Sequence, residues 1–393
     1  MNTKDDKLNI GLFVDAFFPM IDGVIVVVDN YAKKMSEFAN VTVFAPKSRI
    51  KGYKDSLPYR IVRSKCIKVP LTDYDLSLPF FDRKFRKELR RSRLDIVHIH
   101  SPFTIGKIGI SYAKKNKIPL LATLHSQYRK DFEERTKSKT IADLMIKEIM
   151  HTFNKCDELF AVNHRVVEIF NAYGAKKTIK VFYNGTDLKP LENLSLLDIL
   201  RDRHQIRPDE KVFLFVGRID VVKNIFFVLD SLLGLKKMDF KFKMLFIGSG
   251  PQEKEMKAKI EKFNMSQQVI MVGKVVDRIE LSAYYKLADL FLFPSLYDAS
   301  SLVQIEAASQ MTPALFIEGA ATADTITKDV NGYVSENDVS RYKDKIIEIF
   351  GNPEKHEAIC KKAFEDLYWT WDRAVDVAYQ NYLRMIKEKG TTK

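Results

Sequence analysis

The chain has 393 residues, more than one ordinary core organises, since domains run to about 100–200 residues, so two domains are expected. Hydrophobic residues at 46%, charged residues at 29% and 27 Phe exclude a disordered chain and a small cross-linked module. Lys and Arg number 64 against 51 Asp and Glu, and that excess of 13 positive charges points to an anionic surface, an anionic substrate or both, without separating nucleic acid, membrane and nucleotide.

The first residues carry a short apolar stretch broken by Asp15, so no secretory signal is expected, and apolar runs such as Val24–Val28 fall far below the roughly 18–20 residues that cross a bilayer. Any membrane contact is therefore expected to be peripheral. Cys66, Cys156 and Cys360 are odd in number and far apart, without metal or redox spacing, as suits a reducing cytosol.

Short β-branched runs then alternate with helix-length amphipathic stretches, the pattern of βαβ units and parallel sheets. In the first half the strands are expected at Ile10–Val14, Val41–Ala45, Ile96–Ile99, Leu120–Leu124, Glu158–Val162 and Lys180–Phe182. Gly23 stands between the first strand and a helix expected through Asn30–Phe38. It reads either as a plain turn glycine or as a place where backbone N–H groups approach a ligand. Asp73-Tyr-Asp75 resembles a metal-binding DxD but reads as a solvated turn between Pro70 and Pro79.

The segment 83–93 holds seven cations and one acid. Phe80, Phe81, Phe85 and Leu89 lie beside Arg83, Lys84, Arg86, Lys87, Arg90 and Arg91 at spacings that give an apolar stripe flanked by positive charge. That is the make-up of an interfacial helix on anionic lipid, or of a solvated helix packing its stripe on its own domain. His98 and His100 form an HxH pair on one strand face with no third ligand nearby in sequence, which speaks against a metal. His125 closes its strand, either as a structural histidine or as a contact for a sugar. The stretch from Tyr128 to Lys155 is mixed in charge and fits an acceptor-side lid.

Strand character lapses over Asp187–Asp209, and the domain boundary is expected there: 1–190, then 191–365, with 366–393 forming a terminal helix that packs back on the first domain. Strands resume at Val212–Val216, Lys243–Ile247, Val269–Met271, Leu290–Phe293 and Ala314–Phe316. Each half thus reads as a doubly wound α/β domain binding ligands at the carboxyl ends of its strands, and two such sheets facing each other would make a cleft.

In the second half a strand ends at Gly217, and Arg218 and Lys223, five residues apart, can clamp a diphosphate. Gly248 and Gly250 form another glycine turn at a strand end. After Phe293 a loop with Asp298, Ser300 and Ser301 leads into a helix opening near Leu302 and Val303, with Glu306 a turn inside it. Carboxylates at Asp298 and Glu306 can accept hydrogen bonds from vicinal hydroxyls, and the helix start can hold phosphate.

Taken together and in order, the Pro19–Val24 loop, Val97–Phe103, Ala122–His125, Asn184–Asp187, Val216–Asn224, Gly248–Pro251, Pro294–Ala308 and the Trp369–Trp371 region resemble glycosyltransferase family 4 over most of the chain. The resemblance implies a GT-B fold of two Rossmann-like domains and a retaining, metal-independent enzyme using a nucleotide sugar and no cofactor. It further implies that Arg218 and Lys223 hold the donor diphosphate and that Glu306 binds the ribose. Asp298 would meet the donor sugar, His125 would lie near the transferred hexose, and Gly23 would face donor and acceptor. The family commonly has Glu-Gly-Phe-Gly where this chain has Asp298-Ala299-Ser300-Ser301, which leaves the donor sugar open.

The basic Phe80–Arg93 segment and the net charge lean the expected acceptor toward a lipid at the inner face of the cell membrane, such as diacylglycerol or a glycolipid, with a UDP-hexose as donor. A capsular or other cell-surface polysaccharide precursor is the alternative acceptor, and a non-catalytic UDP-sugar-binding subunit the alternative role. Nucleic acid is not expected, because the cations are spread through amphipathic helices without a recognition signature. Oligomeric state has no sequence signal.

Overall fold

A computed structural model describes residues 7–20, 22–48, 50–68, 75–296, 298 and 301–391. The chain divides into two α/β units: one runs to Asn184 and resumes at Trp371, the other is Gly185–Thr370. The expected boundaries were 190/191 and 365/366.

In the first unit the strands are β1 (Asn9–Phe13), β2 (Asn40–Pro46), β3 (Arg60–Ser64), β4 (Cys66–Lys68), β5 (Asp75–Ser77), β6 (Ile96–Ile99), β7 (Leu120–Leu124), β8 (Glu158–Ala161) and β9 (Ile179–Val181). Seven of them make one sheet in the order β3-β2-β1-β6-β7-β8-β9, every pair parallel. The order reverses beside β1, so the loops leaving β1 and β6 meet at the carboxyl edge, where such sheets bind ligands. The central strands β6 and β7 are buried throughout, as expected of a sheet covered on both faces. The short β4 and β5 pair antiparallel outside this sheet. Asp75 thus opens a strand rather than a turn, while Asp73 and Pro70 lie outside the described residues.

The first helix spans Gly23–Ser36 and starts seven residues before the expected Asn30, because the Asp22 side chain caps it, its Oδ1 accepting from Ile25 N at 2.8 Å. The β-branched run Val24–Val28 masks the helix in the sequence but supplies its buried face through Ile25, Val27 and Val28. The segment expected as a lid forms two helices, Arg129–Thr136 and Lys139–Phe153. The terminal helix, Trp371–Thr391, belongs to the first unit and packs on the first helix, with Trp371 against Tyr31 and Lys34 paired to Asp372 at 2.8 Å.

The second unit has β10 (Lys211–Val216), β11 (Phe242–Ile247), β12 (Val269–Gly273), β13 (Leu290–Leu292), β14 (Ala314–Ile317) and β15 (Tyr333–Ser335), all parallel in the order β12-β11-β10-β13-β14-β15. Its core stacks Phe215, Phe291, Phe293 and Phe246 between the helices. The boundary stretch Asp187–Asp209 contains the helix Ser195–Arg203, which the sequence reading left unassigned.

Candidate functional site

In the first unit the carboxyl edge is built around two buried polar groups. Asp15, at the end of β1, receives Ile105 N at 2.7 Å, Gly106 N at 3.3 Å, Thr104 Oγ1 at 3.3 Å and Ser101 Oγ at 2.7 Å, while its own N–H donates to Ser101 Oγ at 2.7 Å. The helix Thr104–Asn116 has no side-chain cap of its own, so Asp15 serves that function from the neighbouring strand. Burial raises the Asp15 carboxyl above its ordinary range against the pull of these four donors.

The second group is an array of three histidines. His98 is held at both ring nitrogens, Nδ1 by Tyr382 OH at 2.6 Å and Nε2 by Thr123 Oγ1 at 2.7 Å. Its ring centroid lies 3.9 Å from that of His100, at a tilt of 34°, and His100 Nδ1 lies 3.0 Å from His125 Nε2. Tyr31 packs against both His98 and His100. Burial drives all three toward the neutral form, His125 down to about 3 and the other two well below the usual histidine value. The HxH pair therefore shares a strand face as its alternation requires, but His98 has no nitrogen left for a metal. Gly23 opens the first helix with free space where a side chain would stand.

In the second unit the strand ends carry the charged residues. The turns after β10 and β11 interlock: a Cβ on Gly248, at φ 135°, would stand 1.8 Å from Gly217 O, and one on Gly250 would stand 2.1 Å from Ile219 O. Only glycine permits that approach. Asp220 caps the 3-10 turn Val221–Lys223, and its Oδ2 lies 3.2 Å from Arg218 Nε. Lys223 instead pairs with Asp298 Oδ1 and sits 5.7 Å over the Phe293 ring. Arg218 is 62% exposed at its side chain and Lys223 only 20%, so the two expected clamp cations occupy different settings.

The helix Leu302–Ser309 begins at Leu302 and Val303, as expected, because Ser301 Oγ accepts from Gln304 N at 3.2 Å. Ser300 and Ala299 lie outside the described residues. Glu306 is clamped by two donors, Arg278 at 2.8 Å and Tyr285 OH at 2.9 Å, and Arg278 also pairs with Asp187. Burial raises the Glu306 carboxyl, and Arg278 opposes that shift. Arg278, Tyr285 and Asp187 were not singled out as site residues. The signal available was the seven-residue interval from Arg278 to Tyr285, which places both on one face of the helix Arg278–Leu287.

The basic helix forms at Arg83–Arg91, capped by Asp82. Its stripe does not face outward: Phe85 is 1% and Leu89 3% exposed, and Phe85 packs on Phe44 beneath the sheet. Phe85 is therefore core rather than a membrane contact, since its burial is worth about 2–3 kcal/mol. Arg86 is half-buried with Nε enclosed, whereas Arg83, Lys84, Lys87, Arg90 and Arg91 are exposed and Phe81 is 84% exposed. Among the described residues no helix is long and apolar enough to cross a membrane.

Comparison with known proteins agrees with this layout. A family model described as Glycosyltransferase Family 4 matches residues 21–190, and one described as Glycosyl transferases group 1 matches residues 198–366. The alpha-monoglucosyldiacylglycerol synthase of Streptococcus pneumoniae is 28% identical over 326 residues, 78% of this chain and 70% of that protein. The synthase of the same name from Acholeplasma laidlawii is 26% identical over 368 residues, 91% of this chain and 92% of its own. Among solved structures, Anabaena HepE in complex with UDP and glucose aligns over 95% of this chain and 99% of its own, with a TM-score of 0.72 at 14% identity.

Proposed function

This chain belongs to glycosyltransferase family 4, and from that premise we propose that it moves a hexose from a UDP-sugar to a membrane lipid such as diacylglycerol or a glycolipid, with retention of configuration. The carrying observation is the set of groups at the carboxyl ends of one sheet: Lys223 paired to Asp298, Arg218 on the same loop, and Glu306 fixed by Arg278 and Tyr285. A diphosphate needs cations that are already desolvated and oriented, and Lys223 meets that need. A ribose diol needs a carboxylate that cannot swing away, and the two donors on Glu306 hold it.

In this reading Lys223 and Arg218 bind the donor diphosphate and stabilise the charge that grows on it as the bond from the sugar C1 to the phosphate oxygen breaks. The acceptor oxygen bonds to C1 on the same face, and its proton passes to the departing phosphate oxygen. Side-chain cations carry the charge that a metal carries elsewhere, so the reaction requires neither metal nor cofactor. Asp298 in the second unit is assigned to the donor sugar, and His125 in the first unit is assigned a sugar contact of its own. The lipid acceptor is supported by two relatives named for glucosyldiacylglycerol synthesis and by the exposed Phe81 among exposed cations, which suits peripheral attachment to an anionic inner membrane face.

The test incubates the purified chain with labelled UDP-glucose, UDP-galactose, UDP-N-acetylglucosamine or GDP-mannose and liposomes containing diacylglycerol and phosphatidylglycerol. An α-hexosyl lipid formed from a UDP-sugar without added metal is the expected result. Absence of both transfer and hydrolysis with every UDP-sugar overturns the proposal, and UDP binding without turnover identifies a non-catalytic subunit instead.

A further inference from the structure

We propose that His100 is a positioning residue that holds His125 in the tautomer whose proton sits on Nδ1, so that His125 presents a hydrogen-bond donor to the substrate. The inference rests on the reading of His125 as a sugar contact. Its own basis is the geometry of the three histidines.

The contact between His100 Nδ1 and His125 Nε2, at 3.0 Å, needs one proton and offers two arrangements. If His125 Nε2–H donates, His100 must carry its own proton on Nε2. That atom is buried without a partner, and a buried N–H with no acceptor loses its hydration with nothing in return, whereas a bare ring lone pair strands no donor. If His100 Nδ1–H donates, the enclosed Nε2 is a bare lone pair and no N–H is stranded. The alternative of a doubly protonated ring would place an unpaired charge among Tyr31, His98 and His125, which is costlier still. The second arrangement leaves the His125 proton on Nδ1. That nitrogen makes no hydrogen bond among the described residues, so its proton is left for a ligand. His98 cannot stand in for His100, since Tyr382 and Thr123 occupy both its nitrogens.

The experiment records long-range proton–nitrogen correlations on the full chain with 15N-labelled histidine, assigning His125 by its loss in His125→Gln. A His125 signal with the proton on Nδ1 from pH 6 to 8 is expected, and a proton on Nε2 or a rapid mixture of tautomers overturns the proposal. In His100→Asn the amide nitrogen stands where Nδ1 stood, so this variant keeps the tautomer and recovers at least about a third of wild-type kcat. His100→Phe removes the donor, turns His125 into a tautomer mixture and lowers kcat about 10–100-fold, with donor KM changed less than about threefold. Wild-type kcat in a folded His100→Phe also overturns it, as does a folded His100→Asn as impaired as His100→Phe. Should no donor support transfer, the tautomer alone decides this inference, and the proposed reaction fails separately.

Discussion

The two sheet edges that carry the candidate residues solve opposite electrostatic problems. In the first unit burial keeps His98, His100 and His125 neutral; Tyr382 and Thr123 take both nitrogens of His98, and His100 Nδ1 meets His125 Nε2. In the second unit Lys223, Asp298, Arg278 and Glu306 are arranged as ion pairs, each cation against a carboxylate. A neutral donor can be fixed in advance at little cost in solvation. A cation meant for a diphosphate is better held by a carboxylate that the ligand can outcompete, because an unpaired buried charge would be destabilising. On the proposed reading, one edge works by tautomer and the other by exchange of partner.

Acid should break the first edge before the second. A histidine whose folded pKa lies below its unfolded value of about 6.5 binds its proton only in the unfolded state, so stability is full above about pH 7 and falls as pH drops through 6.5 toward the folded value. With His125 down to about 3 and the other two also lowered, the three together withdraw up to about 4 kcal/mol from the first unit between pH 7.5 and 5.5. Half-buried His204 and His356 shift the same way in the second unit, while raised carboxyls work in the opposite sense in both units, Asp15, Asp22 and Asp131 in the first and Glu306 in the second. Limited proteolysis in urea, read by peptides from each unit at the two pH values, should show the first unit's midpoint moving further. Equal movement would remove the contrast.

Lys223→Ala tests the partner-exchange edge. Losing a preorganised cation at a leaving diphosphate should lower kcat/KM about 10²–10³-fold and weaken UDP binding in calorimetry. Lys223→Arg keeps the charge but not the compact geometry and should recover part of it. If Lys223→Ala retains UDP affinity, Lys223 serves only to neutralise Asp298.

A smaller effect separates stability from chemistry around Glu306. Arg278→Ala leaves a largely buried carboxylate with Tyr285 as its remaining hydrogen-bond donor of the pair, at a cost of about 2–3 kcal/mol that the partial exposure of Arg278 keeps below that of a fully buried pair. Adding Glu306→Leu should restore most of the urea midpoint while UDP binding stays impaired. A double variant no more stable than the single one would show that Arg278 supports Asp187 and not Glu306.

The second edge was the more legible in sequence because its residues lie close together along the chain: Arg218 with Lys223 on one loop, Asp298 with Glu306 across one helix start. The eleven expected strands all form, each within a residue or two of its reading, since apolar runs in parallel sheets are continuous. Arg60–Ser64 escaped notice because its arginines interrupt the apolar run, and Cys66–Lys68, Asp75–Ser77 and Tyr333–Ser335 because each is only three residues long. The histidine array was invisible as an array. His98 meets Tyr382 across 284 residues, and no local spacing encodes a partner delivered by the terminal helix. Phe85 was misread for the same reason, since an amphipathic stripe does not announce whether its own domain or a membrane covers it.

The exposed helix Arg83–Arg91 fits neither regime, for most of its cations are solvated and Phe81 beside it is open to water. Phe81→Ser isolates that surface. It removes an aromatic ring with no core partner to lose, so the melting temperature should stay within error, while binding to phosphatidylglycerol vesicles weakens about tenfold, as expected from losing part of the roughly 2–3 kcal/mol that a fully buried Phe contributes. Salt separates the two forces at work. Each lysine or arginine near an anionic surface adds about 1 kcal/mol that screening removes, so vesicle binding of wild type and variant should fall together as salt rises, with the tenfold gap between them unchanged. A gap that closes with salt would mean that Phe81 acts by orienting the cations. Equal vesicle binding at every salt concentration would mean that this face does not meet the membrane.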